Sequence, residues 1–163
     1  MNISIFGLGY VGCVGAACLA KLGHHVIGVD VNENKVRLIQ EGKPTIIEEG
    51  IAELCREAHD AERMTATTDV NEAVQNTDVS FIVVGTPSSK EGHLNLNYIY
   101  AVAKQIGDAL RNKSTFYIVA IRSTVLPLPM RKWERSLLRR QAKSAIKTLP
   151  LSATPSFCVK APR

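Results

Sequence analysis

Short runs that favour β-structure alternate with helix-like segments along the first 127 residues. The short runs that favour β-structure predict five strands, at about 2–6, 25–30, 64–67, 79–84 and 116–121. Apolar positions at helical spacing predict helices between them, over about 11–22, 33–41, 49–59, 70–74 and 96–110. Because strands alternate with helices, we expect an α/β fold with a doubly wound parallel sheet.

The turn between the first strand and the first helix is rich in glycine, and residues 7–12 read Gly-Leu-Gly-Tyr-Val-Gly. In such a turn Gly7 permits a tight bend, Gly9 lets the backbone approach a pyrophosphate, and Gly12 lets the helix pack close to the strand. Asp30 ends the second strand, where a carboxylate can accept hydrogen bonds from a ribose. The pattern predicts a dinucleotide site, against the alternative of a purely structural turn. The carboxylate favours NAD over NADP because it repels a 2′-phosphate.

Polar residues follow three of the predicted strands: Asp30, Thr86 and Thr124. The carboxyl ends of parallel strands meet at one edge of the sheet, where ligands bind. We therefore expect these residues in one site, although either threonine could instead cap the turn that follows it. Lys35 could reach back over the adenosine or remain a solvated lysine. Tyr10 is expected to offer its backbone N–H to the pyrophosphate rather than its ring.

Charge is distributed unevenly along the chain. Residues 1–127 carry eleven Lys and Arg against fourteen Asp and Glu, whereas residues 128–163 carry nine against one acid, Glu134. The formal net charge of +5 therefore arises from residues 128–163. Such a basic segment indicates either an acidic partner, such as nucleic acid or anionic lipid, or a segment of different origin.

Other features narrow the class of protein. No stretch approaches the roughly 20 apolar residues of a membrane span, and the immediate N-terminal strand argues against a signal peptide. The four cysteines show no Cys-x-x-Cys pair and no zinc spacing, so no metal site is predicted. Cys13 and Cys18 fall in the first helix and are interpreted as small buried residues. We expect a cytoplasmic protein with reduced thiols.

Four segments together resemble a known family. They read MNISIFGLGYVG at 1–12, GVDV at 28–31, FIVVGTPS at 81–88 and RSTVLP at 122–127. Over residues 1–127 the chain resembles the NAD-binding Rossmann domain of the UDP-glucose/GDP-mannose dehydrogenase family. The sequence GTPSSKEGHLNLNYI, at 85–99, is closer to the branch that acts on GDP-mannose than to the branch that acts on UDP-glucose.

The resemblance implies a two-step, NAD-dependent oxidation of a nucleotide sugar. The sugar C6 hydroxyl becomes an aldehyde and then, through a cysteine thiohemiacetal, a carboxylate, and two NAD are reduced. It also implies that Thr124 lies near the nicotinamide and helps to place a catalytic water, and that the complete protein is a homodimer.

The resemblance assigns further roles by position. Tyr10 and Val11 would meet the pyrophosphate, and Asp30 the adenosine ribose. Lys35 would lie at the same end of the cofactor, and Thr86 along it. The domain's task would be to hold the nicotinamide against the sugar, because the hydride chemistry belongs to the cofactor.

Residues 128–163 depart from the family. Leu128 stands where the family has glycine, and the family's Gly-Gly-Ser-Cys-type catalytic motif lies well beyond residue 163. We therefore expect residues 1–127 to form an NAD-binding domain that is incomplete relative to the family and inactive alone. Residues 128–163 are expected to form a poorly ordered basic tail.

The genetic code suggests one origin for this tail. In a shifted reading frame, each new codon consists of the third base of one codon and the first two bases of the next. Read in this way, the codons of residues 153–163 are compatible with Asn-Pro-Glu-Phe-Leu-Arg-Glu, a motif that the resemblance leads us to expect. We therefore hypothesise a frameshift between about residues 127 and 133. One alternative is a non-enzymatic dinucleotide-binding module with a nucleic-acid-binding tail, although basic composition alone is weak support. Another is a hydroxy-acid dehydrogenase, for which no catalytic His or Lys motif is visible.

Overall fold

The computed structural model describes residues 1–87 and 95–123, together with the backbone of the strands at 147–150 and 157–160. The strands are β1 (Asn2–Phe6), β2 (His25–Val29), β3 (Met64–Thr67), β4 (Val79–Ile82), β5 (Ile118–Ile121), β6 (Lys147–Pro150) and β7 (Phe157–Lys160). The helices are α1 (Tyr10–Lys21), α2 (Glu33–Gln40), α3 (Ile51–Asp60), α4 (Val70–Gln75) and α5 (Asn97–Ala109), the last followed by a 3₁₀ turn (Leu110–Asn112). The five strands and five helices expected within residues 1–127 are confirmed.

The strands form one sheet in the order β3-β2-β1-β4-β5-β7-β6. The first five strands are parallel, which confirms the doubly wound Rossmann-type fold. β7 then pairs antiparallel with β5, and β6 pairs antiparallel with β7. The sheet therefore changes polarity beyond β5.

An apolar core lies on each face of the sheet. On one face α1 buries Cys13, Ala16, Ala17 and Ala20 almost completely. These side chains are small, so this helix can approach the sheet closely, as the glycine of its first turn also requires. On the other face α4, which contacts β2 and β3, shares a core with α5 and with residues of β4 and β5. The crossovers that leave β1 and β4 lie on opposite faces, and their divergence opens a crevice at the carboxyl ends of those strands.

Four hydroxyl side chains form a buried cluster under α4. The hydroxyl oxygens of Ser4 and Ser80 are 2.7 Å apart, and the Tyr117 hydroxyl lies 2.7 Å from Ser80 and 2.8 Å from Thr77. Thr77 donates to the carbonyl of Ala73 at 2.7 Å. Polar groups buried in a core must find such partners, so this cluster ties β1, β4, α4 and the start of β5 together.

The described residues contain neither a membrane-spanning helix nor a cluster of metal ligands. No helix among them is long and apolar enough to cross a bilayer. They also hold no group of three or more His, Cys, Asp or Glu side chains that could bind a metal ion.

Candidate dinucleotide-binding site

The glycine turn between β1 and α1 has a shape that only glycine permits at two of its positions. Gly7 has a φ of +104°, a conformation that side chains disfavour. A Cβ atom at Gly12 would overlap the carbonyl oxygen of Gly7. At Gly9, by contrast, a Cβ atom would meet nothing within 4 Å. Gly9 therefore leaves open space beside the backbone, as expected where a ligand approaches it.

The start of α1 offers backbone donors to this space. Gly9 is the N-cap and brings no side-chain acceptor to the first N–H groups of the helix. The side chains of Tyr10 and Val11 are 62% and 47% exposed and point into a separate apolar cleft of about 560 Å³, which Phe81 also lines. The arrangement is thus consistent with a backbone role for Tyr10 and Val11 at a pyrophosphate.

The Asp30 carboxylate lies at the tip of β2 and links three segments. Its Oδ2 accepts from the backbone N–H of Leu8 at 2.8 Å and from Lys35 Nζ at 3.3 Å. Its Oδ1 accepts from the backbone N–H of Asn32 at 3.0 Å. An ionised carboxylate has about four acceptor positions, so capacity remains for a ligand hydroxyl. Sequence reasoning found Asp30 and Lys35 but missed the bond to Leu8.

Leu8 itself is fully buried and packs over Gly28 in the middle of β2. A Cβ atom at Gly28 would lie 2.7 Å from Leu8 Cδ2. The Thr45 hydroxyl donates to the Leu8 carbonyl at 2.8 Å. The backbone of the glycine turn is therefore held from two sides, by Asp30 and by the segment before α3.

One cleft of about 510 Å³ connects these groups, within the usual range for small-ligand sites. Gly7, Gly9, Asp30 and Lys35 line one side. The opposite wall comes from α5, through Tyr98, Ala101, Val102 and Gln105. This wall was not predicted from the sequence. Its signal was available, because Tyr98, Val102 and Gln105 each stand one position before a buried residue of α5, namely Ile99, Ala103 and Ile106.

The predicted threonines are placed less completely. Gly85 and Pro87 line the cleft, and Thr86 lies between them after β4. Thr124 falls outside the described residues. Its neighbour Ser123 is buried and donates to the carbonyl of Val84 at 2.6 Å, which brings the ends of β4 and β5 together.

These residues fit a dinucleotide. The open space at Gly9 and the helix N-terminus suit a pyrophosphate, and the remaining acceptor capacity of Asp30 suits a ribose. The Lys35 ammonium balances the carboxylate charge without filling its acceptor positions.

Comparisons with known proteins agree with this geometry. A family model described as "UDP-glucose/GDP-mannose dehydrogenase family, NAD binding domain" matches residues 1–161. The GDP-mannose 6-dehydrogenase of Pseudomonas aeruginosa is 54% identical over 127 residues, and the UDP-glucose 6-dehydrogenase of Haloferax volcanii is 40% identical over 127 residues. Each alignment covers 78% of this chain and 29% of the relative, so the chain spans less than a third of their length.

Solved structures show the same relationship. A ternary complex of GDP-mannose dehydrogenase from Pseudomonas aeruginosa superposes with a TM-score of 0.82 at 50% identity, covering 85% of this chain and 32% of that one. A UDP-glucose dehydrogenase from Pyrobaculum islandicum gives 0.81 at 34% identity, with 95% and 37% covered. These matches confirm NAD as the cofactor, and the chain belongs to the NAD-binding domain of the UDP-glucose/GDP-mannose dehydrogenase family.

Proposed function

We propose that this chain is the NAD-binding part of a sugar-nucleotide 6-dehydrogenase that converts GDP-mannose to GDP-mannuronate, and that it does not turn over alone. The continuous cleft from Gly9 to Asp30 is the observation that carries the proposal. Higher identity to the GDP-mannose enzyme than to the UDP-glucose enzyme, 54% against 40%, supports the choice of sugar nucleotide. A UDP-glucose 6-dehydrogenase fragment is the second candidate.

The proposal gives a role to four residues of the candidate site. The backbone N–H groups of Tyr10 and Val11 bind the pyrophosphate at the start of α1. Asp30 accepts from the ribose hydroxyls and repels a 2′-phosphate. Lys35 holds the Asp30 carboxylate in position through their 3.3 Å contact. Bound NAD supplies the hydride acceptor, and the protein supplies its position.

Two threonines complete the proposed site. Thr86 lies along the cofactor at the end of β4. Thr124 helps to place the catalytic water near the nicotinamide, next to the buried Ser123. The chain spans less than a third of the length of the relatives it matches, so the proposal of no turnover concerns this stretch alone.

Titration calorimetry with NAD tests the binding half of the proposal. Folded protein should release heat on addition of NAD and bind NADP more weakly. An absorbance assay at the NADH band with GDP-mannose, and in parallel with UDP-glucose, tests the other half. We expect no turnover with either sugar. Folded protein that gives no NAD heat would refute the cofactor site, and sustained NADH formation would refute the loss of activity.

The proposal also covers the cellular location and the oligomeric state of the protein. We place it in the cytoplasm, where the free thiols of Cys13, Cys18 and Cys55 would stay reduced. We also include the homodimeric state implied by the family resemblance. Light scattering coupled to gel filtration measures the second point, and a monomer at all concentrations would exclude it.

The proposed domain boundary remains at residue 127, with a frameshifted segment after it. The alignments to these relatives, which extend over 127 residues, support it, whereas the family model matches residues 1–161. Sequencing the DNA from codon 127 to codon 163 tests it. A second frame that encodes Asn-Pro-Glu-Phe-Leu-Arg-Glu is expected. An interrupted second frame would leave a genuine basic tail, whose binding to nucleic acid can be measured against a chain lacking residues 128–163.

A further inference from the structure

The backbone of Leu8 joins the glycine turn to two other parts of the chain. Its N–H donates to Asp30 Oδ2 at 2.8 Å, and its carbonyl accepts from the Thr45 hydroxyl at 2.8 Å. Neither Leu8 nor Thr45 lines the cleft of about 510 Å³. Asp30 has a role at the ribose in the proposed function, whereas Thr45 has none. The partner of Thr45, however, belongs to the peptide group that carries the N–H of Gly9.

The geometry of this one peptide group links Thr45 to the cleft. The peptide between Leu8 and Gly9 is trans, so the Leu8 carbonyl and the Gly9 N–H point in opposite directions within one plane. The Thr45 hydroxyl binds the carbonyl and so restricts the rotation of the whole plane. The Gly9 N–H therefore points away from Thr45, and Gly9 lines the cleft. A hydroxyl outside the cleft thus fixes the direction of a donor on its lining.

The Gly9 N–H is a free donor in the part of the chain that the structure describes. No acceptor among residues 1–87 and 95–123 receives it. A Cβ atom at Gly9 would meet nothing within 4 Å, so open space lies beside this N–H. A free backbone N–H next to open space at the start of a helix suits an anionic oxygen. In the proposed function that oxygen belongs to the pyrophosphate.

Thr45 is itself held in position by its neighbours in sequence. Pro44 precedes it, and a proline ring restricts the backbone rotation of its own residue. Ile46 follows it and packs against the apolar core to which α1 and α3 contribute. The hydroxyl therefore reaches Leu8 from a segment whose position depends on the core and not on a ligand.

We propose that Thr45 is a positioning residue for the cofactor, because its hydrogen bond to the Leu8 carbonyl orients the Gly9 N–H toward the pyrophosphate of NAD. The orientation of the peptide plane does not depend on the proposed function, but its effect on affinity rests on the NAD site proposed above. A side chain that does not touch the ligand thereby sets how strongly one part of the ligand is bound. The adenosine part depends on Asp30 instead.

Thr45 also acts on the thiol of Cys13, which is a second route that has to be separated from the first. Interaction with Cys55, and to a smaller extent with Thr45, lowers the pKa of Cys13 to about 6, although burial acts in the opposite direction. Loss of the Thr45 hydroxyl would therefore change the charge near α1 at neutral pH. At about pH 5 the thiol is protonated with or without this hydroxyl. An effect of Thr45 on NAD binding that remains at this pH comes from the peptide plane.

Thr45→Val in the full chain tests the proposal, because valine keeps the branched shape of threonine and lacks the hydroxyl. We expect NAD and ADP-ribose to bind about tenfold more weakly at both about pH 7 and about pH 5, near the upper limit for one hydrogen bond. Adenosine, which has no pyrophosphate, should bind with unchanged affinity. Thr45→Ser keeps the hydroxyl and should restore the NAD affinity. Calorimetry measures NAD and ADP-ribose, and an NMR titration measures adenosine.

Thr65→Val is the matched control. Thr65 lies exposed on β3 and outside the cleft, so the same chemical change there should leave the NAD affinity at the wild-type value. Urea unfolding shows whether each variant is folded. If Thr45→Val does not fold, Thr45→Ala takes its place with the same expected results.

Equal NAD affinity of folded Thr45→Val and the wild type would overturn the proposal. An equal loss of affinity for adenosine would also overturn it, as would a loss that Thr45→Ser does not restore or that disappears at about pH 5. Wild-type protein that binds no NAD would refute the proposed function and, with it, the effect on affinity. The amide resonances of Leu8 and Gly9 would then still decide the orientation: they should shift in Thr45→Val and return in Thr45→Ser, and unshifted resonances would refute it.

Discussion

The Asp30 carboxylate accepts a 2.8 Å hydrogen bond from the backbone N–H of Leu8, so the tip of β2 and the glycine turn form one unit. A single substitution at Asp30 therefore changes both the proposed ribose acceptor and the turn at the pyrophosphate. Other dinucleotide contacts depend on this pair being in place.

We expect Asp30→Ala to weaken NAD binding at least tenfold, or about 1.4 kcal/mol, and to reduce the preference for NAD over NADP. The lost hydrogen bonds should lower the free energy of unfolding by only about 1–2 kcal/mol. Calorimetry and urea unfolding measure the two effects. Asp60→Ala is the control, because the Asp60 side chain is 71% exposed and lies away from the cleft. Unchanged NAD affinity in Asp30→Ala would remove this residue from the site.

Gly9→Ala and Gly12→Ala should both lose NAD binding, but for different reasons. A methyl group at Gly9 meets no protein atom, so the fold should survive, but the methyl occupies the space beside the proposed pyrophosphate and should abolish measurable NAD binding. A methyl group at Gly12 overlaps the Gly7 carbonyl, so thermal stability should fall as well.

Gly15→Ala provides the comparison for both glycine variants. This position also has open space and lies within α1. Alanine is favoured there by up to about 1 kcal/mol through helix propensity, so stability should rise slightly and NAD affinity should stay the same. Normal NAD binding by Gly9→Ala would place the pyrophosphate elsewhere.

Tyr117→Phe should destabilise the domain by about 1–3 kcal/mol, because it removes one hydrogen-bond partner from each of two buried hydroxyls. The Tyr117 hydroxyl lies within 2.8 Å of both Thr77 and Ser80. Urea unfolding measures the loss. Tyr10→Phe is the matched control, since Tyr10 is 62% exposed, and its unfolding free energy should not change. Equal stability of the two variants would show that the hydroxyl cluster contributes nothing.

The Cys13 thiol should make stability depend on pH. Its pKa in the folded protein is about 6, below the value of about 8.5 expected in the unfolded chain. A lowered pKa stabilises the fold above the unfolded value, and this contribution is lost as pH falls through the folded value. The stability advantage of the wild type over Cys13→Ala should therefore grow between about pH 5 and pH 8.5.

Urea unfolding at a series of pH values measures this advantage. Cys18→Ala is the control, because Cys18 is an exposed cysteine on the same helix. A flat difference for Cys13→Ala would show that the thiol is not acidic in the folded protein.

Local sequence signals were enough for much of this fold. The glycine turn and Asp30 belong to one β-α-β unit, and each element of this unit has its own apolar pattern. The bond from Leu8 to Asp30 and the cluster around Tyr117 were not predicted. Each of these contacts joins residues from elements whose relative position depends on the packed sheet. No spacing along the chain therefore predicts the contact. The wall of the cleft on α5 was not predicted, because the regular apolar spacing of the core-facing side of this helix dominates its pattern and the adjacent side gives a weaker signal.

The contact of Leu8 with Gly28 has a consequence for directed evolution of this domain. In a mutagenesis library, larger residues at position 28 should survive only beside a shortened side chain at position 8, since the two compete for one volume. Such paired survivors would retain the Asp30 anchor, whose partner is an amide common to every amino acid except proline, and could be recovered as compensating mutations by deep sequencing.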